Sequence, residues 1–428
     1  MGPVQPWIFL TLLLAIAPAG GGKEAAALLE RVDEIAARVA EIRALPFKEP
    51  VKRAVKRRPE IEAALRAKIL EDYTPEEIVQ QTRALARWGL LAPETDLLKV
   101  YLDLLTEQVA GFYDPKVKTF FLADWIDPAM QEPIIAHELT HALQDQHFDL
   151  EKRIVRDREN DDRSLARMAL VEGEGVAVMF DFLLTPIGMH FADLPNLTPL
   201  IEQQMGLAET TFQKLGGAPR IVREELLFPY TAGAGFVQAA LQRGSWKRID
   251  AIYEDLPLST EQVLHPARYF EERDLPIELS LAPLEERFGA AFFRNVLGEL
   301  GFRVLFEAYF ERETAARLAE GWDGDRFLAW DVDGAVALAS ISAWDSLADA
   351  IEFFGAYRTL LPRKYSRLER VEEMPSRLVF ARSLEGGKKE FTLLMRRGNI
   401  VLLLEGFPPP WWKRIEGMEI TAAFSLHR

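Results

Sequence analysis

Cysteine is absent from this chain of 428 residues. That absence excludes disulfides, thiolate metal sites, cysteine nucleophiles and lipidation at cysteine together. Histidine is scarce, at six residues, so a transition-metal site must combine imidazoles with carboxylates. A basic excess is also missing: 51 Lys and Arg stand against 66 Asp and Glu, a net charge of −15 that argues against nucleic acid as a partner. Internal repeats and low-complexity tracts are lacking. What is present is 49% apolar and 27% charged residues, the balance of a folded globular protein. The length predicts two or three domains, with a core large enough to need no covalent staples.

The N-terminus carries an apolar run, Trp7 to Ala17, followed by Ala17-Pro18-Ala19. The run is too short for a spanning helix of about 20 residues, and small-x-small fits signal cleavage. Residues 1–19 therefore read as a signal peptide, although no Lys or Arg precedes the run. An apolar core helix or an uncleaved anchor is the alternative. The expected location is periplasmic, extracellular or membrane-anchored.

Three regions follow, and together they predict an α+β protein. Residues 20–110 read as helical, with Leu28, Val32, Ile35, Val39 and Ile42 spaced as one helix face. Helix starts are expected at Thr74 and Asp96. Lys48 to Arg58 is a basic segment, either a solvated face or a contact for a membrane surface. In residues 111–281 a strand is expected at Val117 to Leu122, and a helix from Pro133 to about Gln146. An apolar helix should span Asp162 to Leu184, with another at Ala232 to Gln242. Residues 282–428 read as a small α+β domain that includes a hairpin turning at Asp333-Gly334.

The chemistry concentrates at His137-Glu138-Leu139-Thr140-His141. Residues four apart share a helix face, so both imidazoles can reach one ion. Glu138 sits about 100° round the helix, where its carboxylate can take a proton from water. Zinc suits imidazole and carboxylate donors, and its catalytic sites keep a fourth position open.

Three residues compete as third ligand. His147 lies six beyond His141, the metzincin spacing, but Gln144 stands where that signature needs glycine. Glu172 and Glu174 lie in a helix that is apolar nearly all round, where a carboxylate must be paired or bound to metal. They are about 200° apart, so one of them at most faces a given neighbour. Glu172 is preferred. Gly173 and Gly175 each cost about 1 kcal/mol in a helix, which predicts close packing, with the HExxH helix as the expected neighbour.

HELTH followed by VEGEG resembles the gluzincin branch of the zincin metallopeptidases. The stretches GFYDPKVKTFFL, HELTHALQDQHFDL and STEQVLHPARY resemble a poorly characterised group of exported bacterial HExxH proteins. The resemblance covers about residues 100 to 275 and implies a zincin-like helical core with an edge-strand sheet. Val117 to Leu122 would be the edge that pairs with an extended substrate. It also implies His137, His141 and Glu172 as zinc ligands, Glu138 as general base, and a His or Tyr that stabilises the oxyanion. Tyr230 and His265 are the candidates for that last role, with Tyr269 near the second. Thermolysin-like members carry an acid where this chain has Val176, so the residue that orients an imidazole is unassigned.

The function these readings imply is an exported zinc-dependent metallopeptidase acting on a peptide or protein substrate. Two alternatives stand beside it: a catalytically inactive zincin-fold binding or scaffold protein, and a zinc hydrolase of a non-peptide amide or ester.

Overall fold

The computed structural model describes residues 9–12, 22–124, 128–195 and 212–427. The expected signal segment lies outside them except for β1 (Phe9–Leu12), which pairs antiparallel with residues 109–113. The N-terminal half is helical. α1 (Gly22–Arg43) buries Val32, Ile35 and Val39, the seam expected from sequence. β2 (Lys52–Lys56) comes from the basic segment, whose charges are partly paired: Arg53 with Asp33, and Arg57 with Glu60. α2 (Arg58–Asp72) follows. α3 (Pro75–Trp88) starts at a Thr74–Glu77 capping box, and Asp96 caps α4 (Leu97–Gln108).

β3 (Val109–Asp114) and β4 (Thr119–Ala123) form a hairpin. The strand order is β1-β3-β4-β2, with β2 parallel to β4. The strand expected at Val117 to Leu122 is thus interior, flanked by β3 and β2, and not an edge. The reason is non-local: Lys52 to Lys56 returns to cover its free side.

α5 (Pro128–Phe148) contains Pro133 in its interior, so the helix begins before the proline expected to open it. The short α6 (Leu150–Arg153) leads to α7 (Asp161–Leu184), capped by Asn160. After α8 (Gln213–Gly217), α9 (Arg220–Gln242) is twice the expected length and includes Pro229. α10 (Trp246–Glu254), α11 (Thr260–Leu264) and α12 (Pro266–Phe270) complete this half. Among the described residues no helix is long and apolar enough to cross a membrane.

One hydrophobic cluster runs from Val32 through Leu139, Val171 and Val237 to Tyr269. Across the expected boundary at residue 110 the core is continuous: residues of α1 to α4 belong to the same cluster as Leu139, and α1 packs directly on α5 and α7.

The C-terminal part opens with β5 (Glu278–Ser280), α13 (Ala282–Phe288) and β6 (Phe293–Asn295). α14 (Gly298–Glu307) and α15 (Arg312–Ala319) precede the hairpin of β7 (Trp322–Val332) and β8 (Ala335–Trp344). Its turn places Asp333 and Gly334 at φ 53° and 83°, as a type I′ turn requires. Next come α16 (Leu347–Lys364), β9 (Leu368–Met374), β10 (Arg377–Ser383), β11 (Lys389–Arg397) and β12 (Ile400–Phe407). The chain closes with α17 (Pro409–Trp412) and β13 (Ser425–His427), which pairs with β5. The seven-stranded antiparallel sheet has the order β6-β7-β8-β12-β11-β10-β9.

α3 crosses between the halves. Its Ala84 and Trp88 belong to the core on one face of the C-terminal sheet, and Trp88 stands edge-on to Phe302, Phe327 and Tyr357. Beside it, Arg87 pairs with Glu390 at 3.1 Å. Fully buried Glu405 accepts hydrogen bonds from Tyr357, Tyr365 and Lys364.

Candidate metal centre

α5 is buried on all sides around its motif, from Ile134 to Gln144, because α1, α7 and the β3–β4 hairpin enclose it. Its two histidines project together, with ring centroids 4.7 Å apart and nearly perpendicular planes. His137, Glu138 and His141 form a buried group able to hold a metal ion, with ligand atoms within 4.8 Å of one another.

Glu172 of α7 comes closer still. Its Oε2 lies 3.1 Å from Nε2 of His137 and 3.4 Å from Nε2 of His141. Burial opposes charge on the Glu172 carboxylate, but His141 and His137 outweigh burial and hold it below the usual carboxylate range. Burial likewise disfavours the His141 imidazolium. Glu172, then Glu138 and Gln144, overcome that and raise its pKa to about 9. His137 goes the other way, pushed down chiefly by burial.

Two glycines of α7 make this approach possible. A Cβ on Gly175 would lie 2.6 Å from the His137 ring, so the glycine leaves the seat that the imidazole takes. A Cβ on Gly173 would lie 2.2 Å from the carbonyl oxygen of Gly233 in α9. The close backbone expected beside these glycines is therefore that of α9 at Gly173, while at Gly175 the nearest group is the His137 ring of α5. Where α9 crosses, Tyr230 stacks on His137 with centroids 6.3 Å apart and planes inclined by 24°.

The rival ligands are engaged elsewhere. His147 at the end of α5 meets the carbonyl of Pro46 at 2.7 Å. Glu174 forms a buried ion pair with Arg43 and accepts a hydrogen bond from Tyr253 at 2.7 Å. His265 is not brought to the cluster. Its Nε2 lies 2.9 Å from Glu299 of α14. The preceding residues pack at the start of α7, where Thr260 donates to Asp162, about 15 Å along the helix from Glu172. Tyr269, near it in sequence, donates to the carbonyl of Asp255.

One residue was missed from sequence. Gln144 bonds Nδ1 of His141 at 2.8 Å and donates to the carbonyl of Val171 at 3.0 Å. Its position three after His141, on the same helix face and inside a buried segment, was the available signal.

Residues 286–411, which make up most of the C-terminal sheet domain, match the family described as Domain of unknown function (DUF8575). No curated protein and no solved structure matches the chain. The HExxH region lies outside that family match.

Proposed function

We propose that the protein is a zinc-dependent peptidase of gluzincin type, with His137, His141 and Glu172 as metal ligands. One observation carries this reading: the carboxylate oxygen sits 3.1 and 3.4 Å from two imidazole Nε2 atoms. Donors bound to zinc at about 2.05 Å in tetrahedral geometry are separated by roughly 3.3 Å. Two imidazoles and one carboxylate also leave a fourth position, as catalytic zinc sites do.

Held by His137, His141 and Glu172, zinc would supply Lewis acidity to a carbonyl and to water. Glu138, beside these residues on α5, is the carboxylate that would take a proton from the attacking water and pass it to the leaving amine. Tyr230 stands over His137 and is the residue suited to donate to the developing oxyanion. The export reading rests on the apolar run at Trp7 to Ala17 and the small-residue site after it.

Enclosure favours a second reading. The side chains of His137, His141 and Glu172 are at most 2% exposed, and a compact amide or ester needs a smaller opening than an extended peptide. The test begins with metal content of protein purified without chelator, expected near one equivalent of zinc. Wild type and Glu138→Gln are then assayed on an unfolded protein library and on small amide and ester substrates. Glu138→Gln should retain zinc and fold while losing turnover by at least 100-fold. Zinc below half an equivalent, or unchanged turnover in the variant, overturns the proposal. Tyr230→Phe should lower kcat by about 10- to 100-fold with zinc content unchanged.

A further inference from the structure

The orientation of His141 is set by a chain of groups that ends on a backbone carbonyl. The Val171 carbonyl can only accept, so the group of Gln144 that reaches it at 3.0 Å is the amide Nε2. That fixes the flip of the amide. The Gln144 oxygen, 2.8 Å from Nδ1 of His141, must then be the acceptor, and Nδ1 must carry the hydrogen. In the neutral ring the lone pair is left on Nε2, the nitrogen that faces Glu172 at 3.4 Å. Val171 is also the residue immediately before Glu172, so one side chain spans from the ring of one candidate ligand to the backbone of the next.

We infer that Gln144 is the positioning residue of the metal centre. It selects the His141 tautomer that presents Nε2 to a metal, and its bond to the Val171 carbonyl fixes the flip of the amide. The inference rests on the zinc reading above. Gln144 is 1% exposed, and both polar ends of its amide are used. It also accounts for the path of α5, which continues as helix to Phe148 instead of turning back at residue 144 to bring His147 inward. An amide in this place orients the ring without adding negative charge, in contrast to the carboxylates that often bond metal-ligating histidines.

Two substitutions separate positioning from packing. Gln144→Leu keeps the bulk and removes both bonds. Gln144→Glu keeps an acceptor for Nδ1 but loses the donor to Val171, so it strains the helix contact while preserving the tautomer. Each full-length variant is checked by circular dichroism, stripped of metal and titrated with zinc against a competing chelator. Gln144→Leu should bind zinc 10- to 100-fold more weakly than wild type. Gln144→Glu should stay within about threefold of wild type in affinity while its metal-free melting midpoint falls. Affinity retained in Gln144→Leu, or a tenfold loss in Gln144→Glu, overturns the inference. If Gln144→Leu does not fold, Gln144→Met, which also lacks a strong acceptor for Nδ1, is read in its place against the same tenfold threshold. Wild type that takes no zinc overturns the functional reading as well, whereas zinc-binding wild type with an equally tight Gln144→Leu overturns this inference only.

Discussion

The imidazole of His137 occupies the space that a side chain on Gly175 would fill, with Cε1 2.6 Å from the ideal Cβ position. Gly175→Ala should therefore push the ring off its seat. Adding a methyl to a packed core costs about 1–3 kcal/mol, and here the displaced group is a candidate ligand. Zinc affinity should fall at least tenfold, more than the loss of thermal stability alone accounts for. Chelator competition on the folded variant checks this, and unchanged affinity would show that the ring has room to give.

Removal of the third ligand should distinguish three nearby residues cleanly. Glu172→Ala should abolish stoichiometric zinc binding, because a site with two imidazoles alone is about 100-fold or more weaker. His147→Ala should leave zinc content unchanged, since its ring meets the Pro46 carbonyl at the end of α5. Glu174→Gln should lower stability without emptying the site, as it disturbs the buried pair with Arg43. Metal analysis after gel filtration gives the answer; zinc lost from His147→Ala and kept by Glu172→Ala would reverse the assignment.

Stability should decline as pH rises from 6 to 8. Burial raises Asp161 and Asp162 to about 7 and Glu261 to about 9, in each case against opposing partners. Their unfolded-state values lie near 4, so in this window the folded chain holds protons that the unfolded chain has lost. Each such proton lowers the unfolding free energy by about 1.4 kcal/mol per pH unit. His137, pushed down by burial, acts in the opposite sense only near its unfolded value of about 6.5. Thermal midpoints at constant ionic strength should be several degrees higher at pH 6 than at pH 8. A midpoint that climbs with pH would contradict protonated carboxyls at these positions.

The junction between the halves should depend on Glu405. Its carboxylate accepts from Lys364, Tyr357 and Tyr365, and Arg87 of α3 lies 3.8 Å away. Glu405→Ala strands buried cations and should cost about 3–5 kcal/mol in urea unfolding. A loss below 1 kcal/mol would mean that water reaches Lys364 after all.

Local pattern sufficed for the helices of the centre. His137 and His141 share a face because they are four apart, and Glu172 stood out as an acid in an apolar helix. What escaped was non-local. The β4 strand became interior because a basic, unpromising segment returned as β2. STEQVLHPARY turned out to secure the start of α7 through Thr260–Asp162. It also gathers Glu261, Asp274 and Asp345 around Arg268. A histidine in such a stretch looks the same in sequence whether it serves a reaction or, as with His265 on Glu299, a helix junction. Pro133 looks locally like a helix opener, yet it lies inside a helix held by the surrounding core.

The placement of Trp88 bears on inheritance. The stretch that matches a family begins at residue 286, yet an indole from residue 88 completes the packing on one face of its sheet. In this protein the sheet is consequently no self-sufficient cassette. Cutting the gene at residue 285 would leave a hole in one product and a bare tryptophan on the other, and a graft of the sheet onto another host would have to carry a surrogate for α3.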